Sequence, residues 1–370
     1  MLFRSKFEKQ KRTIELICES SGIMWHPLTY TKNPPVLSTL FDLYRMQRKA
    51  IELHEKIGFS GMHCRSYLPG IIGRFFNLKN KVQFIFDMRG FWVDERVEGG
   101  IWNLKNPIFY FIYHFLKRIE KKLFKDATQI ISLTEAAIPA INKIRSASVP
   151  SIEVIPCCVD DVHFNYQSIN DSTTSSIKSN LGFSNDDFIL TYLGSVSTWY
   201  MPDRMLDFFK VLKSKKSNAK FLFITQEDSL PILKLAEEKN ILSNDLYFTS
   251  STRMDLPKLL TISDATIYFI KPSFSKIASS PTKKAELLCM GIPTVCNDGI
   301  GDTGKIMEEN NAGFVCKKYT DAEYEQGIEF IERSIQATNE KERLRKIGTR
   351  YFSLHSGVQK YLCVYKRLFN

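Results

Sequence analysis

The chain has 370 residues, 44% hydrophobic and 12% aromatic, with 51 Lys and Arg against 40 Asp and Glu for a formal net charge of +11; that is enough apolar material for two ordinary cores, and the length favours two domains. With no charged-then-apolar leader and no apolar run of about 18 residues, neither secretion nor a spanning helix is expected, which makes the cytoplasm the expected compartment. The eight cysteines form no CxxC pair, which argues against zinc and disulfides, while the surplus positive charge calls for an anionic partner: nucleic acid, an acidic membrane surface or a phosphorylated substrate.

In chain order, Phe7 to Ser21 reads as a helix stopped by Gly22, Ile23 to Thr29 as a strand, and Val36 to Ile57 as a helix stopped by Gly58. Short apolar runs follow at 61–64, 82–88, 128–133 and 152–156, separated by helices near 70–78, 107–125 and 135–145. Such alternation predicts a parallel sheet covered on both faces. The stretch 168–180 is polar, predicts no buried face and marks a linker or surface loop within 166–185. A second alternating unit spans 186–350. Its strands are expected at 188–194, 220–225, 246–250, 265–270 and 293–297, with helices starting near Pro202, Ser229, Asp255, Pro281 and Thr303. Amphipathic helices at about 321–348 and 351–369 close the chain. Residues 1–165 thus form the first domain and 351–370 a terminal helix.

The densest stretch is Ser279-Ser280-Pro281-Thr282-Lys283-Lys284-Ala285-Glu286, which runs on to Gly291 and Pro293. It follows a strand, so its loop ends at a helix start, where free N–H groups and the macrodipole attract phosphate. Pro281 suits the first turn. Lys283 can neutralise diphosphate charge, and Glu286 can accept two hydrogen bonds from a ribose. Among strand-end residues, Gly194 and Ser195 let backbone approach a ligand. In the loop after strand 246–250, Arg253 can cap a nucleobase or phosphate, or be an exposed neighbour of a helix.

These residues resemble the donor domain of glycosyltransferase family 4, retaining sugar transferases of the GT-B fold. The resemblance implies two Rossmann-like α/β domains facing a cleft. It also implies a nucleotide-diphosphate sugar as donor and a terminal helix that crosses back to the first domain; no carboxylate pair at ligand spacing accompanies the phosphate site, so no metal or other cofactor is expected. Glu286, Gly291 and Pro293 match the second half of the family's paired-glutamate pattern, while Ala278 stands where its first glutamate belongs. The family's Arg and Lys after Gly194 are represented only by Arg204, offset in spacing, so Lys283, Lys276 or Lys271 is expected to supply that charge. Val154 to Asp160 is similar to the family's exit from the first domain and departs at Cys157 and Cys158. The family's opening strand and glycine-rich loop have no counterpart before 1–22, so the first domain is expected to be incomplete.

In the first half, Asp87 and Arg89 follow a buried strand, where open α/β sheets bind ligands. They are the candidate catalytic pair, with a surface ion pair as the plainer alternative. His63 and Arg65 end a neighbouring strand on the acceptor side. Helix 107–125 carries aromatics followed by Lys117, Arg118, Lys121, Lys122 and Lys125, which fits contact with an anionic membrane and equally an aromatic core stripe with a basic outer face. No P-loop or RNA-binding motif is present, so nucleic acid is not the expected partner. The reading is sugar transfer to a hydroxyl of a cell-surface glycan or lipid-linked acceptor. The alternatives are a donor-binding partner without turnover and a non-hydrolysing sugar-nucleotide epimerase.

Overall fold

The computed structural model describes residues 4–34, 36–145 and 151–369. The chain falls into two compact units, Met1–Phe59 and Ser60–Asn370. In the first, helix α1 (Arg4–Ser20) and helix α2 (Leu37–Ile57) flank a segment without regular structure. The expected strand Ile23 to Thr29 does not form. Side chains of α2 hold this region instead: Thr31 N donates to Asp42 Oδ2 at 2.8 Å and Arg45 Nη1 to Thr29 O at 3.1 Å. Pro27 within the run also lacks the N–H a ladder needs.

The second unit begins β1 (Gly61–Arg65), α3 (Tyr67–Asn80), β2 (Gln83–Asp87), α4 (Trp92–Glu98), α5 (Pro107–Asp126), β3 (Gln129–Ser132), α6 (Ile138–Arg145) and β4 (Ile152–Val154). These strands form one parallel sheet in the order β1-β2-β3-β4. Central strands of such a sheet are covered on both faces, which explains the unbroken apolar run Phe84-Ile85-Phe86. Helix α4 fills part of the stretch between β2 and α5, for which the sequence pattern gives no element.

Next comes α7 (Asp171–Asn180), which corrects the expectation that 168–180 buries no face. Asn170 caps it, accepting from Thr173 N at 2.9 Å, and Ile169, Ile177 and Leu181 pack on the second core. The second sheet is built by β5 (Phe188–Leu193), α8 (Pro202–Lys215), β6 (Ala219–Ile224), α9 (Leu230–Glu238), β7 (Leu246–Thr249), α10 (Leu256–Leu260), β8 (Ala265–Tyr268), α11 (Thr282–Cys289), β9 (Thr294–Asn297), α12 (Thr303–Glu309) and β10 (Gly313–Cys316). Strand β10 was not among the strands expected from the sequence. All these strands are parallel, in the order β10-β9-β8-β5-β6-β7. The order reverses between β5 and β8, and ligands of such sheets sit beyond the strand ends at that reversal.

The expected helix 321–348 is two helices, α13 (Asp321–Gln336) and α14 (Glu340–Phe352), broken at Asn339 with φ of 63°. Helix α15 (Leu354–Phe369) lies against the first sheet. Its Val364 is buried with Ile85, Ile131 and Ile155, while Lys360 donates to Val154 O at 2.9 Å and Arg367 to Gln129 Oε1 at 2.8 Å.

Candidate functional site

The reversal between β5 and β8 brings together Gly194, which follows β5, and the loop from β8 into α11. Gly194 has φ of 117°, and a Cβ there would meet Lys283 Nζ at 2.9 Å. A side chain at this position would therefore strain the backbone and collide with the lysine.

Helix α11 is buried along its length from Lys283 to Cys289. A helix buried all round is ordinarily apolar, so its charged residues need partners or a ligand. Lys284 donates to Thr303 Oγ1 at 3.3 Å and sits 4.6 Å over the Phe352 ring. Glu286 pairs with Arg253 Nη1 at 3.1 Å, and the Arg253 guanidinium lies 5.2 Å over Phe164. Burial pushes the Glu286 carboxyl above its ordinary pKa, opposed by Arg253 and Lys283.

Lys283, like Lys284, is buried among rings, but it faces Gly194. Its ammonium lies 3.9 Å from the ring centre of Tyr200, 4.5 Å from Tyr192 and 5.9 Å from Tyr268, and donates to Tyr192 Oη at 3.3 Å. Among the described residues it forms no ion pair. Burial lowers its pKa from 10.5 to about 7, against the pull of Glu286. The ring faces also oppose that fall, because their quadrupoles attract a cation.

Pro281 caps α11 rather than entering its first turn, and Thr282 opens the helix. Ser280 Oγ accepts from Cys157 N at 3.3 Å. The preceding 3-10 turn, Phe274–Ala278, is fixed to the first sheet's elements. Phe274 stacks on Phe91 at 4.7 Å, and the Glu98 carboxylate accepts from Phe274 N at 3.0 Å and Ser275 N at 2.9 Å. Lys276 bonds Glu95 at 2.8 Å and lies 3.7 Å over the Trp199 ring, so its charge is already engaged. Arg204 is engaged on α8, 3.7 Å from Asp207. Ala278 is buried in the core of the first sheet, and no carboxylate stands in its place.

The first-sheet candidates gather elsewhere. Asp87 is buried and accepts from Tyr361 Oη of α15 at 3.2 Å, and His63 Nε2 lies 3.7 Å from it. His63 Nδ1 is 2.7 Å from Tyr365 Oη. Asp87 Oδ1 is buried with no hydrogen-bond partner among the described residues. Arg65 pairs in register with Asp87 across β1 and β2. Arg89, at φ of 60°, donates to Cys157 Sγ at 3.3 Å. Asp87 and Arg89 therefore turn to different partners, and α15 contributes two tyrosines that the sequence reading omitted. It also omitted Tyr192, Tyr200 and Tyr268. Tyr192 and Tyr268 lie near the ends of two strands that the pattern did predict, which was the available signal.

A pocket of about 350 Å³ opens at Gly194 and Ser195, with Thr225, Glu227, Ser251 and Leu256 in its wall. A larger cavity of about 590 Å³ opens at the opposite end of the sheet, by Asp264 and Pro293, and holds none of the candidate site residues. No three His, Cys, Asp or Glu side chains converge as a metal site among the described residues, and none of the described helices is long and apolar enough to cross a membrane.

On helix α5 the outer face is apolar, then basic. Ile108, Phe111 and Phe115 are 60%, 72% and 58% exposed, and Arg118, Lys121, Lys122 and Lys125 continue the exposed face. The aromatics on that face are not a core stripe. Lys117 instead turns inward between Asp94 and the buried Glu120.

Residues 174–350 match the family described as glycosyl transferases group 1. No curated protein matches the chain in sequence. Among solved structures, a glycosyltransferase from Rickettsia africae superposes with a TM-score of 0.71 at 15% identity, covering 97% of this chain and 88% of that one. Anabaena HepE, solved in complex with UDP, gives a TM-score of 0.71 at 15% identity over 96% of this chain and 89% of its own. Sucrose-phosphate synthase from Thermosynechococcus elongatus gives 0.67 at 15% identity over 93% and 82%. The fold is therefore GT-B: two Rossmann-like parallel-sheet domains.

Proposed function

We propose that the protein transfers a sugar from a nucleotide-diphosphate sugar to a hydroxyl acceptor, with the diphosphate held between Gly194, Ser195 and the start of α11. The observation that carries this reading is Lys283, a buried ammonium without an ion pair among the described residues, directed at a glycine beyond a strand end. An uncompensated buried cation is costly, and an anionic ligand removes the cost. Lys283 and the N–H groups of Ser280, Thr282 and Lys283 stabilise charge on the departing diphosphate, the positive charge coming from the protein rather than from a metal. Glu286 accepts from ribose hydroxyls, and Arg253, its present partner, is freed toward the base or phosphate. Asp87 and Arg89 act from the other side of the cleft, with His63 and Arg65 toward the acceptor. Retention of configuration follows from the family 4 resemblance.

The test is calorimetric titration with UDP, followed by an assay for sugar released from a UDP-sugar. Binding with turnover is expected, and absence of binding removes the site. Glu286→Ala is expected to weaken UDP by roughly tenfold to a hundredfold, as loss of charge-assisted hydrogen bonds does; unchanged affinity refutes its ribose role.

The acceptor is a cell-surface glycan or lipid-linked oligosaccharide, met at the inner face of the membrane. The support is α5, where exposed aromatics run into a basic face, the composition of an interfacial helix. Phe111→Ser with Phe115→Ser is expected to lower sedimentation with anionic vesicles by about tenfold or more, without changing the thermal midpoint. Equal sedimentation by both proteins would rule out this surface.

A second reading, a donor-binding partner without turnover, has Ala278 in its favour: the family's first glutamate is replaced by a residue sealed in the core. UDP binding with no sugar release or transfer would select it.

A further inference from the structure

The turn that follows Gly194 already holds an anion, and the anion belongs to the protein. Glu227, on the exposed loop after β6, accepts from Val196 N at 2.9 Å through Oε2. Through Oε1 it accepts from Ser197 Oγ at 3.1 Å and from Ser195 Oγ. Burial alone would raise its carboxyl pKa, but the bonds from Ser195, Val196 and Ser197 outweigh that and hold it below the ordinary range. One backbone N–H and two hydroxyls converging from three successive residues are the donor set that proteins present to phosphate oxygens. The turn is also wired to the buried cation: Lys283 donates to Tyr192 Oη at 3.3 Å, and Tyr192 Oη donates to Ser195 O. Glu227 and Ser195 share the pocket of about 350 Å³ with Gly194.

We infer that the Ser195–Ser197 turn receives a phosphate of the donor, and that Glu227 occupies it as an internal competitor until that ligand arrives. The inference rests on the reading of Gly194 and Ser195 as the diphosphate site. Two observations favour a displaceable occupant over a fixed brace. Glu227 is solvent-exposed on a loop tip, so the side chain can swing clear without opening the core. Its bonds are all to one short turn that Tyr192 already secures from beneath. A carboxylate and a phosphate cannot share one donor set, because like charges at that distance repel strongly.

The experiment is calorimetric titration of the full chain with inorganic pyrophosphate and with UDP, comparing wild type, Glu227→Gln and Ser197→Ala, with melting curves to verify folding. Glu227→Gln keeps the shape and removes the charge. It is expected to bind both ligands roughly tenfold more tightly, with a gain that shrinks at high salt. Ser197→Ala removes a donor and is expected to bind both more weakly. Equal or weaker binding by Glu227→Gln overturns the inference, since a brace would loosen the turn, and so does an absence of pyrophosphate and UDP binding by all three proteins. If Glu227→Gln tightens pyrophosphate but UDP gains nothing over pyrophosphate in any protein, the competitor stands and the nucleotide reading falls. If UDP binds wild type well and Glu227→Gln gives no gain, the nucleotide reading stands and the competitor falls.

Discussion

Replacing Lys283 with methionine is expected to raise the thermal midpoint at pH 7 and to abolish UDP binding. Burial lowers this lysine from 10.5 to about 7, so between those pH values the unfolded chain binds a proton that the folded chain releases. Stability therefore rises with pH across that window. At pH 7 the linkage penalty is on the order of 4 kcal/mol. Attraction of the ammonium to the rings of Tyr192, Tyr200 and Tyr268 returns about 2 kcal/mol. Methionine fills similar volume and carries no charge, so a net gain of roughly 2 kcal/mol, or about 3 °C in a chain of this length, is expected at pH 7 and should vanish above pH 10. Binding should move the other way. Removing the one buried cation that faces the proposed diphosphate should weaken UDP by roughly a hundredfold or more. Calorimetry and melting curves at pH 7 and 10 read both effects. A variant less stable at pH 7, or one that binds UDP normally, would remove Lys283 from the proposed role.

Gly301→Ala is expected to destabilise the fold by about 2–4 kcal/mol and to weaken UDP binding with it. Gly301 has φ of 47°, and a Cβ there would overlap Ser279 O and lie 2.6 Å from Thr134 Cγ2. Three loops meet at this point. Thr134, beyond β3, donates through Oγ1 to Ile277 O at 2.7 Å, and the Asp302 carboxylate accepts from Glu135 N at 2.8 Å and Ala136 N at 2.9 Å. Gly301 N itself donates to Lys276 O at 2.9 Å. An added methyl must push the Ser279 carbonyl, and the loop it belongs to ends at the start of α11. Urea unfolding gives the stability change, and a midpoint that stays put would show that the three loops do not press on one another there.

The sheets were legible because buried parallel strands leave continuous apolar runs: FILTYL, FLFI and ATIY needed no partner to be recognised. Where the run was not a strand, at Ile23 to Thr29, Pro27 interrupts it and Arg45 of α2 takes the Thr29 carbonyl, a partner beyond a local window. The polar stretch 168–180 misled because a helix needs only one modest apolar stripe, here Ile177 and Leu181 beside Ile169. In the site, the residue types of α11 and the glycine after β5 pointed to phosphate. The tyrosine cage did not, because it is assembled from positions 192, 200 and 268, on two strands and a loop. Glu227 was invisible for the same reason: a carboxylate after β6 acquires meaning only beside the turn after β5.

The last helix imposes an order on synthesis. Ile85, Ile131 and Ile155 pack with Val364, Tyr361 and Tyr365, so these isoleucines lack that cover until α15 has left the ribosome. The second sheet must therefore be translated before these strands are covered, and in the interval their apolar side chains are a natural client for a chaperone.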